Sequence, residues 1–209
     1  MRGVFIIVKT TFFIGVLGII ISIIIVSTFQ RLLKNNESGF LHLLMCFMFI
    51  CWLPIPLVTY FELKTYNFLF IGALLGTVSL VLYIITMILQ ASHLSYSNRL
   101  AYENKELWRR NDDWMLNGLL GSQVELLAGL LKAIWIIFLT LTFWLDGQIV
   151  ISIIGIAYSL FGIIYLLKLL DTSLIREIKI LKEFPINPLV INLETTSWFL
   201  IILIWLRIT

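Results

Sequence analysis

Ten of the fifteen Lys and Arg residues fall in three of the gaps between long apolar runs. The first gap holds Arg31 and Lys34, the second Arg99, Lys105, Arg109 and Arg110, and the third Lys168, Arg176, Lys179 and Lys182. The opposite gaps and ends hold Arg2, Lys9, Lys64 and Arg207, and Lys132 lies deep inside a run. Such alternation fits a chain threaded back and forth through a bilayer, because short basic loops are retained on the cytoplasmic side. A crossing needs roughly 20 apolar residues at about 1.5 Å each to cover about 30 Å of hydrocarbon. Stretches at approximately 10–29, 40–61, 68–91, 119–145, 149–170 and 189–206 meet that requirement.

The expected fold class is therefore all-α: a polytopic transmembrane helix bundle of about six spans, forming a single integral membrane domain over 1–209. Both termini are expected on the non-cytoplasmic side. No small-x-small cleavage pattern follows the first run, so it is expected to remain a span. With 60% hydrophobic and 13% charged residues, little chain is left for a soluble domain. The net charge of +3 is confined to loops, which argues against a nucleic-acid partner. The expected partners are the lipid bilayer, anionic lipid headgroups and other membrane subunits. Scarce alanine beside abundant isoleucine and asparagine suggests an AT-rich coding background, and hence a bacterial plasma membrane or an organellar inner membrane.

Local chemistry refines this layout. Asn35, Asn36 and Ser38 supply capping groups before the second span, and Pro54 and Pro56 predict a kink or an end within it. Residues 92–113 predict a cytosolic helical loop in which Glu106 and Arg110 have the favourable i, i+4 order. Asp146-Gly147-Gln148 predicts a tight hairpin between the fourth and fifth spans. Residues 171–184 place Leu174, Ile178 and Leu181 on one face and Arg176, Lys179 and Lys182 toward the other, the pattern of an interfacial amphipathic helix. These three cations, with Arg109 and Arg110, are candidate residues for docking lipid or a partner.

Charges at membrane depth point to function, since even permissive insertion scales charge about 2.5 to 3.5 kcal/mol for a central Lys or Asp. The candidates are Glu125, Lys132 and Glu194. Glu125 and Lys132 stand about two turns apart on one helix face, near Gly121 and Gly129, where small residues admit a neighbouring helix. Counting depth from the cytosolic side brings Lys132 and Glu194 to a common level, so Lys132 is expected to pair with Glu194, Glu125 or both, as a binding site for an ion or anionic group. Snorkelling of Lys132 toward the interface is the competing expectation.

Other chemistries are argued down. His42 and His93 belong to no His-Glu-x-x-His motif, and Cys46 and Cys51 have neither redox nor ligand spacing, so no metal and no cofactor are expected. Asn111-Asp112-Asp113 has no second acidic segment to complete a magnesium-diphosphate site. Neither a Gly-x-Ser-x-Gly elbow nor a phosphate-binding glycine loop occurs. A small transporter or channel module ranks first, an accessory or scaffold subunit second, and an intramembrane enzyme third.

Overall fold

The computed structural model describes residues 2–100, 105–115, 123–174 and 188–208. Within them the chain is all-helical, and six helical segments are long and apolar enough to cross a membrane. In chain order the helices are α1 (Arg2–Lys34), α2 (Ser38–Trp52), α3 (Ile55–Glu62), α4 (Leu69–Leu100), α5 (Lys105–Asp113), α6 (Gln123–Leu145), α7 (Ile149–Ser159), α8 (Phe161–Ser173) and α9 (Pro188–Ile208).

Helix ends follow from local chemistry. The α1 helix closes on Asn36 at φ 57°, where the Asn36 and Glu37 amides donate to the Leu33 and Leu32 carbonyls and satisfy the last turn. Asn36 therefore terminates α1, whereas α2 starts after Glu37 with no side-chain cap, contrary to the expected role of this segment. Its carbonyl accepts a 2.6 Å bond from Asn98 Nδ2, tying the α1–α2 corner to the end of α4. Gly147, at φ 77°, closes α6 in the same way, with the Gln148 amide reaching back to the Phe143 carbonyl. Glycine is favoured there because a side chain is strained at positive φ.

Pro54 and Pro56 split the second apolar run into α2 and α3, since Pro54 has no N–H for the helical ladder. The fifth run is also split, at Leu160, where no proline stands. Ser159 Oγ donates to the Ile156 carbonyl at 2.7 Å, and the Ile163 amide takes the three-residue partner Leu160, so the turn tightens. The third run continues without a break as far as Leu100, so the first part of the polar stretch extends the span's helix as expected. Ten residues of α4, about 15 Å, follow Gln90, the residue that meets Glu125 in the first turn of α6. Then α5 folds back on this extension through Tyr96 against Trp108 at 5.6 Å. Helix α8 ends at Ser173 with Leu174 extended, and most of the predicted amphipathic helix, with Arg176, Lys179 and Lys182, lies outside the described residues.

Sequential helices pack as neighbours: α1 on α2, α2 on α4, α4 on α6, and α6 on both α7 and α8. The last helix closes the set. Its backbone approaches α1, where Gly15 makes room for Leu203. Toward α2 and α6 it relies on large side chains: Phe199 stacks on Trp52 at 4.6 Å and on Trp135 at 5.8 Å, and Phe143 meets Trp205 at 5.0 Å. Trp52, Trp135, Trp198 and Phe199 are fully buried, so aromatic rings fill the bundle axis on the side of the 146–148 turn. Gln148 Oε1 holds the Trp205 indole N–H at 2.7 Å at that end. Outward faces such as Phe13, Ile23, Val150 and Ile163 are exposed and apolar.

The packing of α6 on α4 depends on small residues of α4. Gly72 leaves space filled by Phe138, and a Cβ at Gly76 would stand 2.7 Å from Trp135 Cγ. Because Trp135 is wedged against Trp198 and Phe199, it cannot yield. Gly76→Val is expected to destabilise the purified protein by about 1 to 3 kcal/mol through overpacking, read as a lowered unfolding midpoint in detergent, while Val78→Ala on the exposed face shifts it little.

Candidate functional site

The three ionisable residues singled out by their depth come from two helices. Glu125 lies in the first turn of α6 and Lys132 two turns further along the same face, while Glu194 lies six residues into α9. The structure joins Lys132 to Glu194: the ammonium donates to Glu194 Oε2 and to Thr195 Oγ1, and it lies 5.6 Å from the centre of the Tyr165 ring. Glu194 Oε2 also accepts the Tyr165 hydroxyl at 2.9 Å. Lys132 is 1% exposed and Glu194 5%, so this is an ion pair withdrawn from solvent within the protein. Snorkelling does not describe it, because the Lys132 side chain ends on partners from α8 and α9.

Local sequence explains the convergence. Gly129 leaves a gap on α6, one turn before Lys132, into which the Tyr165 ring packs. Gly162 allows the start of α8 to approach Ala133. These small residues bring α8 close enough for a tyrosine hydroxyl to reach a carboxylate on α9. Tyr158 hydrogen-bonds Ser197 at 2.7 Å, and Ser22 of α1 hydrogen-bonds Thr196 at 3.0 Å, so the polar first half of α9 is spoken for on several sides.

Glu125 joins a different partner. The Gln90 side-chain amide donates to its Oε1 at 2.9 Å. Gln90 belongs to a polar stripe on α4, comprising Ser79, Tyr83, Thr86, Gln90 and Ser97, all buried and spaced by about one or two helical turns. Ser79 Oγ donates to the Ala128 carbonyl at 2.6 Å. Among the described residues, the Tyr83 hydroxyl, Thr86 Oγ1, Gln90 Oε1, Ser97 Oγ and Glu194 Oε1 have no hydrogen-bond partner. At the upper end of this stripe His93 Nε2 lies 2.9 Å from Asp112 of α5.

Neither the stripe nor Tyr165 and Thr195 were signalled by charge. The available signal was the helical spacing of single polar residues within an apolar run. Arg109 and Arg110, the described members of the candidate docking set, are exposed and both contact Glu106 of their own helix, Arg109 through two bonds of 3.0 and 3.1 Å. That Arg109 hydrogen bonding and charge hold the Glu106 carboxyl below its ordinary range. Among the described residues no group of three His, Cys, Asp or Glu side chains is arranged to hold a metal. Cys46 and Cys51 are free thiols buried in α2.

Removing one member of a buried ion pair leaves an uncompensated charge, which costs about 3 to 5 kcal/mol. Lys132→Met alone and Glu194→Leu alone are each expected to destabilise by that order. The double variant should lose clearly less than the sum, and a thermodynamic cycle of detergent unfolding measures the difference. No known protein family, curated protein or solved structure matches the chain.

Proposed function

We propose that this chain is a multi-pass membrane protein, one integral domain with its basic end cytoplasmic and both termini on the other side, that acts as a small transporter module. Its ion-handling centre is the cluster of Lys132, Glu194, Tyr165 and Thr195, with Glu125 and Gln90 beside it. The observation that carries this reading is that, among the described residues, the pair itself has an unpartnered buried oxygen, Glu194 Oε1, and α4 has three more at the Tyr83 hydroxyl, Thr86 Oγ1 and Gln90 Oε1, beside Thr140 Oγ1 and the Trp135 and Trp198 indole nitrogens elsewhere in the interior. Each such atom costs about 1 to 3 kcal/mol unless something polar meets it. A pair kept only for packing would be completed by its neighbours, whereas a site that exchanges an ion or solute holds unfilled valences. The cationic residues of the basic end, including Arg109, Arg110, Arg176, Lys179 and Lys182, are assigned to anionic headgroups or a partner subunit.

The stacked and fully buried rings of Trp52, Trp135, Trp198 and Phe199 favour a second reading, an accessory subunit of a larger membrane complex, because close-packed aromatic rings fill the interior there. Transport through the same bundle requires these rings to part.

Proteoliposomes holding the purified chain separate the two. Transport predicts protein-dependent movement of H+, Na+ or K+ that falls at least tenfold in Glu194→Gln with the fold intact; impermeable vesicles, together with stoichiometric retention of another membrane protein on mild extraction, establish the accessory role. For orientation, Leu33→Cys and Asn104→Cys in a Cys46→Ser/Cys51→Ser background should resist an impermeant thiol reagent added outside intact cells and react after permeabilisation. Labelling from outside reverses the assignment.

A further inference from the structure

Helix α7 starts at the 146–148 turn and α9 ends beside it, so the two run antiparallel, and side chains bridge them at two levels. At the turn Gln148 Oε1 accepts the Trp205 indole N–H at 2.7 Å. Further in, the Tyr158 hydroxyl bonds Ser197 at 2.7 Å and its ring packs on Trp198 at 5.3 Å. Beside these bridges the helices part around a groove of about 530 Å3, walled by Ile149, Val150 and Ile154 of α7 and by Ile201, Ile204 and Ile208 of α9. From Ile201 to Ile208 the groove follows α9 for about 10 Å. It opens outward, since Val150 is 74% exposed and Ile204 52%. The Tyr158 and Trp198 rings stand about one turn inward of Ile154 and Ile201 and close its inner end.

We propose that this groove holds one acyl chain of a zwitterionic phospholipid from the non-cytoplasmic leaflet. The inference rests on the membrane reading of the chain and is independent of transport. Water does not suit the space. Gln148 and Trp205 bring the polar side chains of the lining, and they are engaged with each other and with Asp146, whose Oδ2 accepts Gln148 Nε2 at 2.7 Å. A transmembrane helix of a partner comes close over small residues, whereas both walls here are branched isoleucine and valine. A single flexible hydrocarbon chain enters between such walls without moving either helix. The groove runs along the helices, the direction in which acyl chains lie, and its length falls within one leaflet of a hydrocarbon core about 30 Å thick. Charge at the mouth selects the headgroup. Asp146 is exposed next to Gly147 and Gln148, while Arg207, the cation at this end of α9, is turned to the Phe12 ring of α1 at 5.8 Å. The mouth thus presents a carboxylate, which attracts the ammonium of a zwitterionic headgroup and repels a headgroup of net negative charge.

Native mass spectrometry of the full-length protein tests this, with the chain in mild detergent supplied with equal phosphatidylethanolamine and phosphatidylglycerol. One phosphatidylethanolamine per chain should survive activation that strips the remaining lipid. Ile204→Trp, which fills the groove from an exposed position, should cut that retention about tenfold, and Ile23→Trp on the outer face of α1 should leave it unchanged. Asp146→Asn should erase the preference over phosphatidylglycerol. In the wild type, phosphatidylethanolamine with a photoactivatable acyl chain should label 149–154 and 201–208 above the exposed face of α1. No retained lipid, retention indifferent to Ile204→Trp, or labelling spread evenly over the outer faces overturns the site and leaves the membrane reading standing. Retention of phosphatidylglycerol in preference overturns the headgroup assignment. Disulfide cross-linking of two copies through Ile204→Cys in a Cys46→Ser/Cys51→Ser background overturns lipid in favour of a second copy. A chain that stays monodisperse without detergent overturns the membrane reading and the site together.

Discussion

An ammonium removed from water must find an anion, and in this bundle the anion that meets Lys132 is on the last helix. That requirement sets the level of α9 against α6, because a one-turn slip of about 5.4 Å would separate Lys132 from both Glu194 and Thr195. It also sets the position of α8, whose Tyr165 completes the coordination of the same carboxylate oxygen. Attraction between apolar helices in lipid is weakly directional, since tails solvate leucine as well as another helix does. The ion pair supplies the register that packing alone leaves loose.

Around that pair the bundle divides into two halves of different character. Toward the basic end the interior is polar, from Tyr83 through Thr86 and Gln90 to Ser97, with half-buried Glu125 bonded to Gln90. Toward the opposite end it is aromatic, with Trp135 and Trp198 only one helical turn beyond Lys132 and Glu194 on their own helices. Side chains on α6 and α9 lean toward their amino ends, which for both helices is the basic end. Lys132 and Glu194 nonetheless end on partners inside the bundle, and the rings begin one turn beyond them. The wide spacing of α9 from α6, bridged by large side chains while its backbone rests on α1, follows from the same division.

Much of this was legible in the residues because the relevant signals are local. Apolar run lengths place the six long helices, Pro54 and Pro56 break the second of them, and the depth of Lys132 and Glu194 puts them at one level. What was not legible depends on which faces meet. The break at Leu160 has no proline behind it and arises from a serine that bonds its own helix. Asn36 was read as capping the start of the second span, but a left-handed residue closing the previous helix is an equally good use of asparagine. Gln90, Tyr83 and Tyr165 are each unremarkable within an apolar run, and only the neighbouring helix reveals that they point at carboxylates. The run of α4 on to Leu100, by contrast, agrees with the helical extension of the third span expected from the sequence, since composition changes there while the backbone does not.

The distribution of unmet hydrogen-bonding capacity separates a site from a brace. A lysine serving as a structural tie needs its own donors satisfied, and Lys132 has an oxygen partner on Glu194, another on Thr195, and the Tyr165 ring beneath it. The carboxylate is different: one oxygen accepts from lysine, tyrosine and threonine, while the other accepts from nothing among the described residues. The same lopsidedness recurs in Gln90, whose amide nitrogen is engaged and whose oxygen is bare. Breaking the pair costs more than never having built it, since apolar replacement of both partners is often neutral or stabilising. Retaining this pair with one carboxylate oxygen unmet is therefore expensive as architecture and economical only if that oxygen has something to receive.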